Sequence, residues 1–115
     1  MSEVTIWHNP RCRKSREALK LIEERGIEPR VVRYLEEPPG RADLERVLKA
    51  TGLRPIELTR TKEKLFKELG LRKDDPDERI LQALAEHPKL IERPVVFGPR
   101  GIVLARPPER ALEVL

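Results

Sequence analysis

The chain's single sulfur nucleophile, Cys12, stands in the run Ile6-Trp7-His8-Asn9-Pro10-Arg11-Cys12-Arg13-Lys14-Ser15-Arg16. A β-type stretch, Val4-Thr5-Ile6-Trp7, precedes it and closes at Asn9-Pro10, where proline removes a donor and pushes the residue before it out of the helical region. Ser15, Ala18, Leu19 and Ile22 then recur at i, i+3, i+4 and i+7, and Gly26 follows as a stop, so residues 13–25 read as a helix. Cys12 falls at its entrance, where unpaired N–H groups and the positive end of the helix dipole favour a thiolate. Arg11, Arg13 and Lys14 add charge nearby. An isolated intracellular cysteine is commonly a small buried hydrophobe, but a turn among three cations is a poor place to bury sulfur.

Spacing separates the thiol chemistries. A phosphatase-type loop needs arginine at the position of Ala18, and a dithiol oxidoreductase needs a second cysteine where Ser15 stands. A cysteine protease finds a histidine in His8 but no Asn or Asp with a spacing signal to orient it. One cysteine closes no internal disulfide, so a redox cycle needs a thiol from outside. Two histidines and one cysteine fall short of a tetrahedral ligand set, so no metal and no bound cofactor is expected.

The elements that must position Cys12 follow from the rest of the pattern. Residues 30–35 read as a second strand, and strand, helix, strand implies a right-handed parallel crossover. Glu37-Pro38-Pro39-Gly40 breaks the chain. Leu44, Val47 and Leu48 mark a helix stopped at Gly52; Leu65, Phe66 and Leu69 mark a shorter one stopped at Gly70. Asp75-Pro76-Asp77-Glu78 reads as an N-cap, a first-position proline and a capping-box glutamate opening a helix that ends before Pro88. Pro94–Phe97 and Ile102–Leu104, joined by Gly98-Pro99-Arg100-Gly101, predict an antiparallel hairpin, and a last helix should run from Pro107 or Pro108 to Leu115. The order βαβ, helical insertion, ββα predicts an α/β fold, a mixed sheet with helices on both faces.

At 115 residues the chain reads as one domain. No signal-peptide pattern or long apolar run is visible, which predicts a cytoplasmic protein with no membrane partner. Charged residues make up 38% but net only +4, a mixed-charge solvated surface. Four aromatics, Trp7, Tyr34, Phe66 and Phe97, are too few for a base-stacking platform, so nucleic acid is not an expected partner despite a pI near 9.5. Asn9 and Gln82 are the only side-chain amides, while Arg and Pro are plentiful, a bias that suits heat resistance.

The segment around Cys12 resembles the active site of the glutaredoxin-linked arsenate reductase family, often called ArsC. The likeness continues through Tyr34-Leu35-Glu36-Glu37-Pro38-Pro39, Arg60, His87-Pro88, Arg93-Pro94-Val95-Val96 and Arg106-Pro107. It implies a thioredoxin-like fold over 1–115 with a mostly helical insertion at about 40–88. By resemblance Cys12 is the nucleophile, His8 tunes it, and Arg60, Arg93 and Arg106 hold the oxyanion. Pro94 resembles the cis-proline that thioredoxin-like folds place beside the active cysteine.

The family's chemistry implies that the thiolate attacks arsenate and that glutathione, or an equivalent external thiol, attacks the adduct. A glutaredoxin-like thiol protein then reduces the mixed disulfide. Arg93 and Arg106 both precede proline at the edge of β segments, where a long side chain can be aimed, whereas Arg60 follows a helical stretch and can equally be a solvated charge. His8 can be a packed strand-end histidine or a tuner of the thiolate. Ser15 can donate to sulfur or satisfy backbone groups. Two alternatives remain. One is a thiol reductase acting on another substrate. The other is a regulator like the Spx-type proteins, which bind RNA polymerase and typically carry the Cys-x-x-Cys pair that Ser15 denies this chain.

Overall fold

The computed structural model describes residues 3–115, which divide into two compact units, 3–37 with 93–115 and 38–92. The first unit holds a four-stranded mixed sheet ordered β2-β1-β3-β4, formed by β1 (Thr5–Trp7), β2 (Arg30–Val32), β3 (Val95–Gly98) and β4 (Gly101–Leu104). β1 runs parallel to β2, as the crossover through helix α1 (Arg13–Glu24) requires, and antiparallel to β3; β3 and β4 form the expected hairpin. Ile6 aligns with Val96, and Val96 with Val103. These three cluster with Ala18 and Ile22 of α1 and with Ala111 and Val114 in the core. Trp7 and Val95, one residue along their strands and so on the opposite face, are buried too, and Trp7 packs on Phe97 with ring centroids 5.1 Å apart.

Three expectations are corrected. β2 stops at Val32 because β1 offers it only a short edge: the last rung is the His8 N–H to the Val32 carbonyl at 2.8 Å. Arg33 then starts a turn, its carbonyl accepting from the N–H groups of Glu36 and Glu37. The C-terminal segment, Pro108–Val114, is a 3-10 helix. Its Arg110 N–H bonds three residues back to the Pro107 carbonyl, the i+3 pattern of that helix, and the Val114 carbonyl accepts from the Arg100 N–H at 3.1 Å.

The third correction is at α4 (Asp77–Glu86). Pro76 is its N-cap, while the Asp75 carboxylate reaches back to the Arg72 N–H at 2.8 Å and Glu78 pairs with Arg41. No capping box forms there.

In the second unit α2 (Arg41–Thr51), α3 (Lys64–Glu68) and α4 enclose Leu44, Val47, Phe66, Ile80 and Leu84. Gly52 and Gly70, both at positive φ, end α2 and α3 as the sequence predicts. Gly40 opens α2 without a side chain of its own; its N–H donates to the Asp43 carboxylate at 3.1 Å. Arg41 ties α2 to α4 through Glu78 and Gln82. Short 3-10 helices at Pro55–Leu58 and Pro88–Leu90, which periodicity does not reveal, hold an isolated bridge between Thr59 and Ile91.

Gly98, at the end of β3, allows a close approach of the backbone around Val114. A Cβ there would meet the Val114 carbonyl oxygen at 2.1 Å, whereas one at Gly40 would meet nothing nearer than 3.9 Å. Gly98→Ala should therefore lose about 1–3 kcal/mol in chemical denaturation, and Gly40→Ala less than about 1 kcal/mol. Equal losses would disprove the close approach.

Candidate functional site

β1 delivers the chain to the site and α1 receives it. Between them Asn9 builds the turn twice: its carbonyl accepts from the Cys12 N–H and its Oδ1 from the Arg11 N–H, both at 3.0 Å. The Arg16 guanidinium donates to the Pro10 carbonyl at 2.9 Å. Beneath the turn Ser15 is fully buried. Its Oγ accepts from the Asn9 N–H at 3.0 Å and lies 2.6 Å from His8 Nδ1. Of the two roles open to Ser15 from sequence, its hydroxyl takes the backbone one.

Cys12 is the residue before the helix, extended at φ −95° and ψ 121°, and its carbonyl accepts the first intrahelical bond from the Arg16 N–H. No side-chain cap closes this turn and no acidic residue lies in it. Burial, the largest influence on the thiol, pushes it up. The Ser15 N–H, the Arg93 charge, the Lys14 N–H and a hydrogen bond from the Arg93 side chain act against burial and prevail, so the thiol lies below its ordinary value.

Two expectations change here. Cys12 is buried, 9% exposed, although its flanking residues are not. The cation that acts on it is Arg93, not Arg11, Arg13 or Lys14 by charge; Lys14 contributes through its backbone N–H. Arg13 is paired with Glu17 at 3.0 Å, and all three of those side chains stand in solvent, where water screens them.

The imidazole of His8 is buried, and its pKa is lowered by that burial first and by the Arg33 and Arg16 charges next, against an opposing pull from Glu23. His8 is thus neutral at neutral pH, with Nδ1 engaged by Ser15.

The β3–β4 hairpin supplies the arginines. Pro94 precedes β3 and is buried, and its carbonyl extends the ladder by accepting from the Ala105 N–H at 2.9 Å. Arg106, just beyond β4, donates through Nη1 to the Arg93 carbonyl at 3.1 Å. The Arg93-Pro94 bond is cis, and so is Arg106-Pro107, which the sequence does not announce. Cys12, His8, Ser15, Arg93, Pro94 and Arg106 therefore all belong to the first unit.

Arg60 belongs to the second. Its N–H donates to the Leu90 carbonyl at 2.7 Å, and its guanidinium lies 3.2 Å from the Glu63 carboxylate, which also pairs with Lys89. Asn9, Arg16 and Arg33 are the site residues that sequence reasoning passes over. The Asn9-Pro10 dipeptide is a readable turn signal, whereas the proximity of Arg16 and Arg33 to His8 is a matter of three dimensions. Among the described residues no group of three or more His, Cys, Asp or Glu side chains could hold a metal, and no helix is long and apolar enough to cross a membrane.

Comparison with known proteins places this geometry. The ArsC family pattern matches residues 7–114. An arsenate reductase of Rhizobium meliloti (strain 1021) is 50% identical over 97% of this chain and 81% of its own. The uncharacterized protein YfgD of Escherichia coli (strain K12) is 47% identical over 98% and 97%. Among solved structures, an arsenate reductase from Vibrio cholerae superposes with a TM-score of 0.91 at 46% identity, covering 97% of both chains.

Because the fold disfavours the His8 cation, the unfolded chain takes up that proton first as pH falls. The stability carried by neutral His8 is complete above about pH 6.5 and is lost as pH drops toward the lowered native value. Urea unfolding across that window should weaken with acid in the native protein and weaken less in His8→Gln. Identical pH slopes would refute it.

Proposed function

Because this chain belongs to the ArsC family, we propose that it reduces arsenate to arsenite at Cys12, with an external thiol supplying electrons. The observation that carries this reading is the convergence on one buried sulfur of the Ser15 and Lys14 N–H groups and the Arg93 side chain. Such donors favour both a thiolate and an anion beside it.

The Cys12 thiolate attacks arsenic and an oxygen leaves with two protons as water. Glutathione or an equivalent thiol then attacks the adduct; arsenic gains two electrons, and the two sulfurs become a mixed disulfide that a glutaredoxin-like protein reduces. Arg93 and Arg106, joined through the Arg93 carbonyl, hold the oxyanion, with Arg60 as the third cation. His8, kept neutral, and Ser15 fix the loop that carries the sulfur, and Pro94 sets the start of β3 against it. In this reading the whole chain is one thioredoxin-like domain with a helical insertion at about 40–88, working in the cytoplasm without a bound cofactor.

Magnitudes decide what the arginines do. Lowering a thiol pKa from about 8.5 by about two units raises the thiolate at pH 7 from roughly 3% to roughly 75%. With a Brønsted slope of about 0.4–0.5 the fall in nucleophilicity leaves a net gain of only about 3-fold. A charge-assisted donor on the developing oxyanion is worth about 3 kcal/mol, roughly a hundredfold.

With arsenite production as the readout, Cys12→Ser should leave less than a few per cent of native turnover, roughly the level expected when an adduct-forming nucleophile is removed. Arg93→Lys should be nearly as damaging as Arg93→Ala, since an ammonium replaces a planar fork; a lysine variant keeping most activity would rule out bidentate holding. Arg60→Ala, Arg93→Ala and Arg106→Ala should each cut turnover by about one to three orders of magnitude, yet change alkylation of Cys12 by a neutral reagent at pH 7 by less than about tenfold. Parallel losses in both assays would mean that the arginines act by activating the sulfur.

A further inference from the structure

Four cations lie within four residues of Cys12, and the site uses their charges unevenly. Arg16 is committed to the Pro10 carbonyl and acts on His8, and Arg13 is paired with Glu17. Arg11 and Lys14 remain. Both side chains are exposed, and among the described residues neither forms an ion pair. Neither charge contributes to the state of the thiol, although Lys14 contributes its N–H and Arg11 precedes the sulfur in the chain. The segment from His8 to Arg16 contains no carboxylate. Two exposed, unpaired cations thus flank in sequence a cysteine that is itself only 9% exposed.

Exposed charges with no ion-pair partner beside a site act on what approaches it. We propose that Arg11 and Lys14 select the sulfur co-reactant of Cys12, favouring a small thiol or disulfide that carries carboxylates over neutral or cationic ones. The inference rests on the reading of Cys12 as a sulfur that exchanges with an external thiol. The co-reactant is small because so little of Cys12 is exposed, and anionic because the exposed Arg11 and Lys14 on either side of it carry positive charge with no carboxylate in their own segment. In the exchange step the Cys12 thiolate attacks one sulfur of a disulfide. A new bond forms between Cys12 and that half of the reagent, the old sulfur–sulfur bond breaks, and the other half leaves as a thiolate with the electron pair. Charge on the reagent alters how often it reaches Sγ and leaves this chemistry unchanged.

The experiment measures Cys12 modification at low ionic strength by three disulfides: 5,5′-dithiobis(2-nitrobenzoate), a dianion; 2-hydroxyethyl disulfide, which is neutral; and cystamine, a dication. Native protein is compared with Arg11→Gln/Lys14→Gln. The double variant should react with the dianion at least about 5-fold more slowly, with the neutral reagent within about 2-fold of native, and with the dication at least about 2-fold faster, and molar salt should erase these differences. Equal changes with all three reagents, or none, would overturn the inference while leaving Cys12 as the nucleophile. A native Cys12 inert to all three reagents would overturn the reading of the sulfur, and this inference with it.

Discussion

One buried hydroxyl holds the site together. Ser15 Oγ meets both the Asn9 N–H and His8 Nδ1, so the end of β1, the turn and the first turn of α1 are fastened at one point inside the protein. A polar group buried there without these partners would cost about 1–3 kcal/mol. With them satisfied, the first helical turn stays open toward the sulfur, and its N–H groups remain for a thiolate instead of a cap. The same position in a dithiol enzyme would hold a second sulfur. Here it holds the brace, which is consistent with a cycle closed by an outside thiol.

Charge is divided by depth. Arg93, partly buried and close to the sulfur, shifts the thiol against the strong opposing effect of burial, whereas Arg11 and Lys14, adjacent in sequence but in water, do not. Coulomb's law accounts for the difference: between unit charges about 4 Å apart, water reduces the interaction to about 1 kcal/mol, and a less polar surrounding raises it several-fold. Nearness along the chain is therefore a poor guide to which cation matters. Arg93 is placed by β3, which lies antiparallel beside β1, and Arg106 reaches the Arg93 carbonyl because the hairpin returns the chain to the same level.

In the helical unit, Arg60 is held by a hydrogen bond from its own N–H to Leu90 and by the carboxylate it shares with Lys89 through Glu63. It is not a loose surface charge. A guanidinium with its backbone fixed and one carboxylate on one side retains further N–H groups for a second anion.

The sequence by itself determined the order of the elements and the location of the sulfur. Asn9-Pro10 ends a strand, Gly26, Gly52 and Gly70 end helices because only glycine takes their positive φ without strain, and the spacing of Ala18 and Ile22 assigns α1 to the core. These are local effects, set by backbone sterics and periodicity. Where a signal depended on what else was within reach, tertiary structure decided. Asp75 looked like a cap until a nearer N–H, that of Arg72, engaged it. β2 ended where its partner strand ended, and the last segment took a 3-10 helix that the Arg100 N–H ties to the hairpin through the Val114 carbonyl. At the site, periodicity put Cys12 at a helix entrance, but the choice of Arg93 over the three cations beside it, and of His8 over the sulfur as the partner of Ser15, depended on burial and distance, which a one-dimensional pattern does not contain.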